Sequence, residues 1–75
     1  LVFLNGFAYC NIIENGLKSF ITNMPKTAYT TYGTLWGQYS TFHARFYVEN
    51  TTTYIEPKGD IPVNWVGINL LYVME

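Results

Sequence analysis

Residues 41–55 read TFHARFYVENTTTYI. Along the first arm Phe42, Ala44, Phe46 and Val48 alternate with His43, Arg45, Tyr47 and Glu49. Strict period-two alternation over eight residues marks a strand with one buried face, not a helix. Asn50, Thr51 and Thr52 supply polar turn chemistry, and Thr53, Tyr54 and Ile55 start a β-prone return arm. The stretch is expected to form a β-hairpin. Its outward face would carry an imidazole, a guanidinium, a phenol and a carboxylate on one strand.

Toward the N-terminus, residues 1–4 are apolar on both faces and run into Asn5-Gly6, a turn dipeptide. Residues 7–14 read as a strand, with Phe7, Tyr9, Asn11 and Ile13 on one side and Ala8, Cys10 and Ile12 on the other. Asn15-Gly16 then predicts a tight hairpin, because both residues tolerate positive φ. Residues 17–22 return as its second arm. Pro25 lacks an N–H for a ladder and should end that strand at about Asn23 or Met24. Residues 28–32 and 35–39 read as short strands or extended loops, with Gly33 and Gly37 breaking any longer run.

Toward the C-terminus, Pro57, Gly59, Asp60 and Pro62 make a loop of residues 56–62. Residues 63–73 form a long last strand, expected to be interrupted or bulged at Gly67. Val66, Ile68, Leu70 and Tyr72 give its apolar face. Trp65, Gly67, Asn69, Leu71 and Val73 give the other, and Leu71 and Val73 suggest that it too is covered, by another sheet or subunit. No stretch sustains a 3.6-residue period behind a helix cap. Six to seven short strands with regular turn signals predict an all-β fold, a small antiparallel β-sandwich or barrel.

Composition bounds the function. Seventy-five residues make one domain with a marginal core of its own. Cys10 is alone, so no intrachain disulfide forms, and its spacing to His43 gives no zinc pattern, so neither metal nor cofactor is expected. Apolar residues are 49% and charged residues only 12%, half the usual share, which points to association with other copies. The net charge of −1 and the lack of a basic run argue against nucleic acid. No apolar run is long enough for a membrane helix, and seven short strands are too few for a membrane barrel. The chain opens on Leu1, and we expect it to be the C-terminal part of a longer polypeptide.

The order of features resembles the C-terminal head or knob domains of phage tail fibres and baseplate receptor-binding proteins. The resemblance is carried by Ile21-Thr22-Asn23-Met24-Pro25 closing an early strand, by the hairpin of residues 42–55, and by Trp65-Val66-Gly67-Ile68-Asn69-Leu70-Leu71-Tyr72 at the end. Where that family often has Asp-Gly or Asn-Gly in the central hairpin, this chain has Asn50-Thr51-Thr52, which leaves the hairpin register open. The resemblance implies a homotrimer at a virion tail tip, outside the cell, that recognises a host-surface saccharide or protein without catalysis. Threefold packing of apolar strand faces would place Leu71 and Val73 at the subunit interface, and Trp65, ahead of an apolar strand, reads as core or interface.

Saccharide recognition needs an aromatic face for the apolar side of a pyranose and planar polar groups for its hydroxyls, held on a rigid sheet. Trp36, His43, Arg45, Tyr47 and Asp60 supply those groups. The competing reading makes His43, Arg45, Tyr47 and Glu49 an ordinary solvated strand face with cross-strand pairs. Trp36, between two glycines, reads equally as an exposed indole or a core residue. Glu49 and Glu56 could approach across the hairpin as a glycosidase pair, but nothing in the sequence buries either. Two other functions fit the composition: a purely structural assembly piece of a virion or fibre, and a carbohydrate-binding module of a bacterial enzyme.

Overall fold

The computed structural model describes residues 1–37 and 44–75. It contains seven strands: β1 (Val2–Tyr9), β2 (Lys18–Ile21), β3 (Thr31–Tyr32), β4 (Thr34–Gly37), β5 (Ala44–Glu49), β6 (Thr52–Pro57) and β7 (Trp65–Tyr72). They form two antiparallel sheets, β1-β7-β4 and β2-β6-β5-β3. The described residues form no helix. The all-β expectation therefore holds, as two sheets packed face to face.

The central hairpin folds as its alternation dictates. Phe46 pairs with Ile55 and Val48 with Thr53 on the inward face, and all four are buried. Glu49 pairs with Thr52, so the turn is the two residues Asn50 and Thr51, with Asn50 at φ 56°. The return arm starts at Thr52, one residue before the sequence placed it. Asparagine takes the left-handed region more readily than most residues, so a two-residue turn closes without glycine.

On the facing sheet, Leu35 of β4 and Val66, Ile68, Leu70 and Tyr72 of β7 point inward and are buried. Together with Ile13, Ile61 and Val63 they form one core with the hairpin. The only buried polar side chains among the described residues are two threonines. Thr53 accepts the Ile21 N–H at 2.9 Å, filling the register shift between Ser19 and Ile21 where β2 leaves the β6 ladder. Thr27 donates to the Tyr29 carbonyl at 2.5 Å.

Three expectations are corrected. Asn5-Gly6 is not a turn: Asn5 pairs with Asn69 and Gly6 with Ile68 inside a ladder running unbroken from Val2 to Tyr9. Eight cross-strand pairs outweigh a local turn preference, which is a weak bias wherever tertiary pairing competes. Asn15-Gly16 does bend the chain, with Gly16 at φ 103°, but it joins the two sheets instead of closing a hairpin. Gly67 causes no bulge, since its ladders to Phe7 and to Trp36 are both in register.

Gly33 turns the corner between the sheets, with β3 on one side of it and β4 on the other. A side chain there would begin 2.6 Å from the Asn69 carbonyl oxygen and 3.0 Å from Leu70 Cβ, so only glycine fits. The Gly33 N–H donates to the Phe46 carbonyl at 2.8 Å, which ties the corner to the hairpin. At the far end, the Tyr72 hydroxyl donates to the Pro25 carbonyl at 2.7 Å. Burial pushes the Tyr72 phenol pKa up.

Candidate functional site

Alternation along each strand gives the sandwich two outer faces, and their chemistry differs. On the outer face of β1-β7-β4 the residues fall into rows across the strands. Tyr9 stands beside Trp65, and Phe7, Gly67 and Trp36 form the next row. Asn5, Asn69 and Thr34 follow, and Phe3 stands beside Leu71. Rows are two residues apart, or about 7 Å at the usual strand rise.

Gly67 is what lets the aromatics meet. A Cβ on it would lie 2.2 Å from Cε2 of the Trp36 ring, so that indole rests directly on the glycine backbone. From there Trp36 reaches Phe7 at 5.5 Å and Trp65 at 5.5 Å between ring centroids, and Phe7 reaches Trp65 at 5.6 Å. All three contacts are edge-to-face, the arrangement that ring quadrupoles favour. The cluster stays open to solvent: Trp36 is 39% exposed, Phe7 61% and Tyr9 86%. Beside it lies the row of two amides and a hydroxyl. No charged residue occurs on this face of the three strands.

The opposite outer face, on β2-β6-β5-β3, is a tyrosine stack. Tyr47 lies between Tyr32 at 5.2 Å and Tyr54 at 5.4 Å, in register across three strands. One row on, Arg45 pairs with Glu56 and donates a hydrogen bond to its carboxylate. An exposed pair of this kind contributes about 0.2–1 kcal/mol. Glu49 pairs with Thr52 at the other end of the hairpin, so Glu49 and Glu56 do not face each other as a carboxylate pair.

Of the five residues grouped for ligand contact, the four described ones do not assemble. Trp36 sits on the three-stranded sheet, while Arg45 and Tyr47 sit on the outer face of the other sheet, engaged with Glu56 and with two tyrosines. Asp60 serves a loop: its Oδ1 accepts the Asn15 N–H at 2.8 Å, and Asn15 Oδ1 accepts the Gly59 N–H at 2.7 Å. His43 lies outside the described residues. Of the residues expected at a subunit interface, Trp65 belongs to the aromatic cluster and Leu71 shares its face. Val73 follows the end of β7, and its carbonyl accepts the Ala28 N–H at 2.8 Å. Both Leu71 and Val73 are exposed in the single chain.

Sequence reading missed Asn5, Phe7, Asn69 and Thr34 as neighbours of Trp36. Alternation in residues 65–71 already put Trp65 and Asn69 on one side. The misread Asn5-Gly6 turn cut β1 in two and hid its continuous outer face.

A separate apolar cleft of about 250 Å³ opens between the sheets where β1 parts from β2. Ala8, Ile13, Phe20, Ile55 and Val66 line it, and the nearby Cys10 thiol donates to the Val63 carbonyl at 3.2 Å. Lys18 at its mouth donates to the Glu14 and Gly16 carbonyls. The Cys10 and Lys18 groups are turned to the backbone, Glu14 and Ser19 also line the cleft, and its wall is mainly apolar. The open aromatic face with its row of amides is therefore the better candidate for a sugar. No family model, curated protein or solved structure matches this chain.

Proposed function

We propose that this domain is a non-enzymatic adhesion module that binds a neutral saccharide on the outer face of β1-β7-β4. The observation that carries the reading is the pairing of two rows: an open aromatic cluster seated on Gly67, and Asn5, Asn69 and Thr34 beside it. A pyranose laid on this face sets its C–H side against the Trp36 indole and turns its hydroxyls to the amides, each of which can donate and accept. Amides and a hydroxyl suit uncharged sugars, whereas acidic glycans would call for a cation. An open sheet face suits a stretch of surface glycan better than one enclosed sugar. Recognition of a host-surface saccharide is also what the likeness to phage tail-fibre tips implies.

A glycan array tests this with the wild type, Trp36→Ala, Asn69→Ala, and Arg45→Ala as a control on the opposite face. Binding to neutral glycans should be lost in the first two variants and kept in the third. Binding that survives Trp36→Ala and fails in Arg45→Ala refutes the assignment. A wild type that binds no glycan favours an assembly role for the domain.

A further inference from the structure

Sheet edges expose unpaired N–H and C=O groups, and proteins blunt them with short strands, charges, prolines or bulges. The four edges here are β1, β4, β2 and β3. β3 has two residues and β4 has four. β2 has four residues, with Lys18 and a register shift. β1 differs from all of them: it has eight residues, VFLNGFAY, with no charge, no proline and no break in register. The Cys10 N–H donates to the Asn64 carbonyl, continuing the β7 ladder. By alternation the even-numbered residues of β1 turn their backbone groups to β7, and Phe3, Asn5, Phe7 and Tyr9 turn theirs to the open edge. The side chains of these four are exposed.

We propose that the β1 edge pairs with β1 of a second copy of this chain, antiparallel, about a twofold axis through Asn5. The two three-stranded sheets then become one six-stranded sheet. A twofold contact requires the strand to be complementary to itself. Outer faces stay aligned only where odd residues meet odd ones. Centring on Asn5 sets Asn5 against Asn5 of the partner subunit and Phe3 against Phe7 of the partner subunit. On the inner side it sets Leu4 against Gly6 of the partner subunit and Val2 against Ala8 of the partner subunit. Aromatic meets aromatic, amide meets amide, and large inward side chains meet small ones. An unrelated strand would gain the backbone bonds without this match. The hydrogen-bonded pairs Phe3–Phe7, Asn5–Asn5 and Phe7–Phe3 across the axis use the groups that β7 leaves open. This contact is twofold, in place of the threefold packing implied by the tail-fibre resemblance, and it stands independently of the saccharide reading. If both hold, two aromatic faces lie side by side on one surface, giving avidity for a repeated glycan.

Sedimentation equilibrium on the intact chain tests the pairing. The wild type should be a dimer at micromolar and higher concentrations. Asn5→Lys and Asn5→Asp each set like charges directly opposite across the axis, which destabilises a cross-strand pair. Each variant alone should be monomeric, and their equimolar mixture should be dimeric. In the unaltered chain, amide exchange at Phe3, Asn5 and Phe7 should slow as concentration rises. A monomeric or trimeric wild type, dimers that persist in both charged variants, a mixture that stays monomeric, or exchange independent of concentration would each overturn the proposal.

Discussion

Gly67→Ala removes the aromatic platform without removing an aromatic. The new methyl would sit 2.2 Å from Cε2 and 2.4 Å from Cζ2 of Trp36, far inside contact distance, so the ring must leave. The strand itself can accept alanine, because Gly67 has no positive φ and its ladders are regular. Trp36 then loses its edge-to-face contacts with Phe7 and Trp65, at about 0.5–1.5 kcal/mol each. Alanine returns about 0.5–1 kcal/mol of backbone entropy relative to glycine. The net loss is about 0–2.5 kcal/mol, centred on about 1, and each kcal/mol lowers Tm by about 4–8 °C in a domain of this size. A double-mutant cycle with Trp36→Ala isolates the cause. In the Trp36→Ala background the methyl meets no indole, so Gly67→Ala should become neutral or slightly stabilising. Melts followed by tryptophan fluorescence, with glycan titrations on the same four proteins, give both readouts. Glycan affinity should fall in Gly67→Ala as far as in Trp36→Ala. Additive effects on Tm, or undiminished affinity in Gly67→Ala, would refute the claim that the glycine seats the ring.

Gly33→Ala meets backbone and a core side chain where Gly67→Ala meets a half-exposed surface ring. It should cost at least the 1–3 kcal/mol of an overpacked core, and removing the indole should not rescue it, as thermal melts would show. Asn15→Ala breaks the clamp to Gly59 and should lower stability by about 1 kcal/mol in urea denaturation while glycan affinity stays the same. That result would separate the Asp60 loop from the binding face. Tyr72 gives a pH signature: its phenol is neutral in the fold and its pKa is raised by burial. The folded state therefore holds this proton more tightly than the unfolded one. The contribution is whole below the ordinary tyrosine pKa of about 10 and is lost as pH rises through the higher folded value. Denaturation midpoints should hold up to about pH 10 and fall above it, and Tyr72→Phe should flatten that fall.

The fold was legible where alternation was strong and long. The inward set Ala44, Phe46 and Val48 and the set Val66, Ile68, Leu70 and Tyr72 needed only period two to place. What misled was turn chemistry read in isolation. Asn5-Gly6 and Asn15-Gly16 carry the same local signal, yet one lies in mid-strand and the other bends between sheets. The difference is in the partner: β7 offers β1 eight matched residues in one ladder, while residues 10–17 are held by scattered contacts such as the Cys10–Asn64 backbone bond, the Ile13–Ile61 bridge and the loop clamp. The candidate site was half legible. Trp36 was singled out because glycines flank it, but the glycine that matters lies 31 positions away in sequence, on β7, and strand pairing alone brings it under the indole. Arg45 and Tyr47 do share a face, as the hairpin pattern requires. Which sheet Trp36 would join depended on the corner at Gly33, and no local pattern encodes that.

We propose that the outer face of β1-β7-β4 contacts a neutral saccharide. Amide and indole N–H chemical-shift mapping during titration with a bound neutral glycan tests it most directly. Shifts should concentrate at Asn5, Phe7, Thr34, Trp36, Trp65 and Asn69, with both indole N–H signals moving. Shifts concentrated instead at Tyr32, Arg45, Tyr47 and Tyr54 would contradict it.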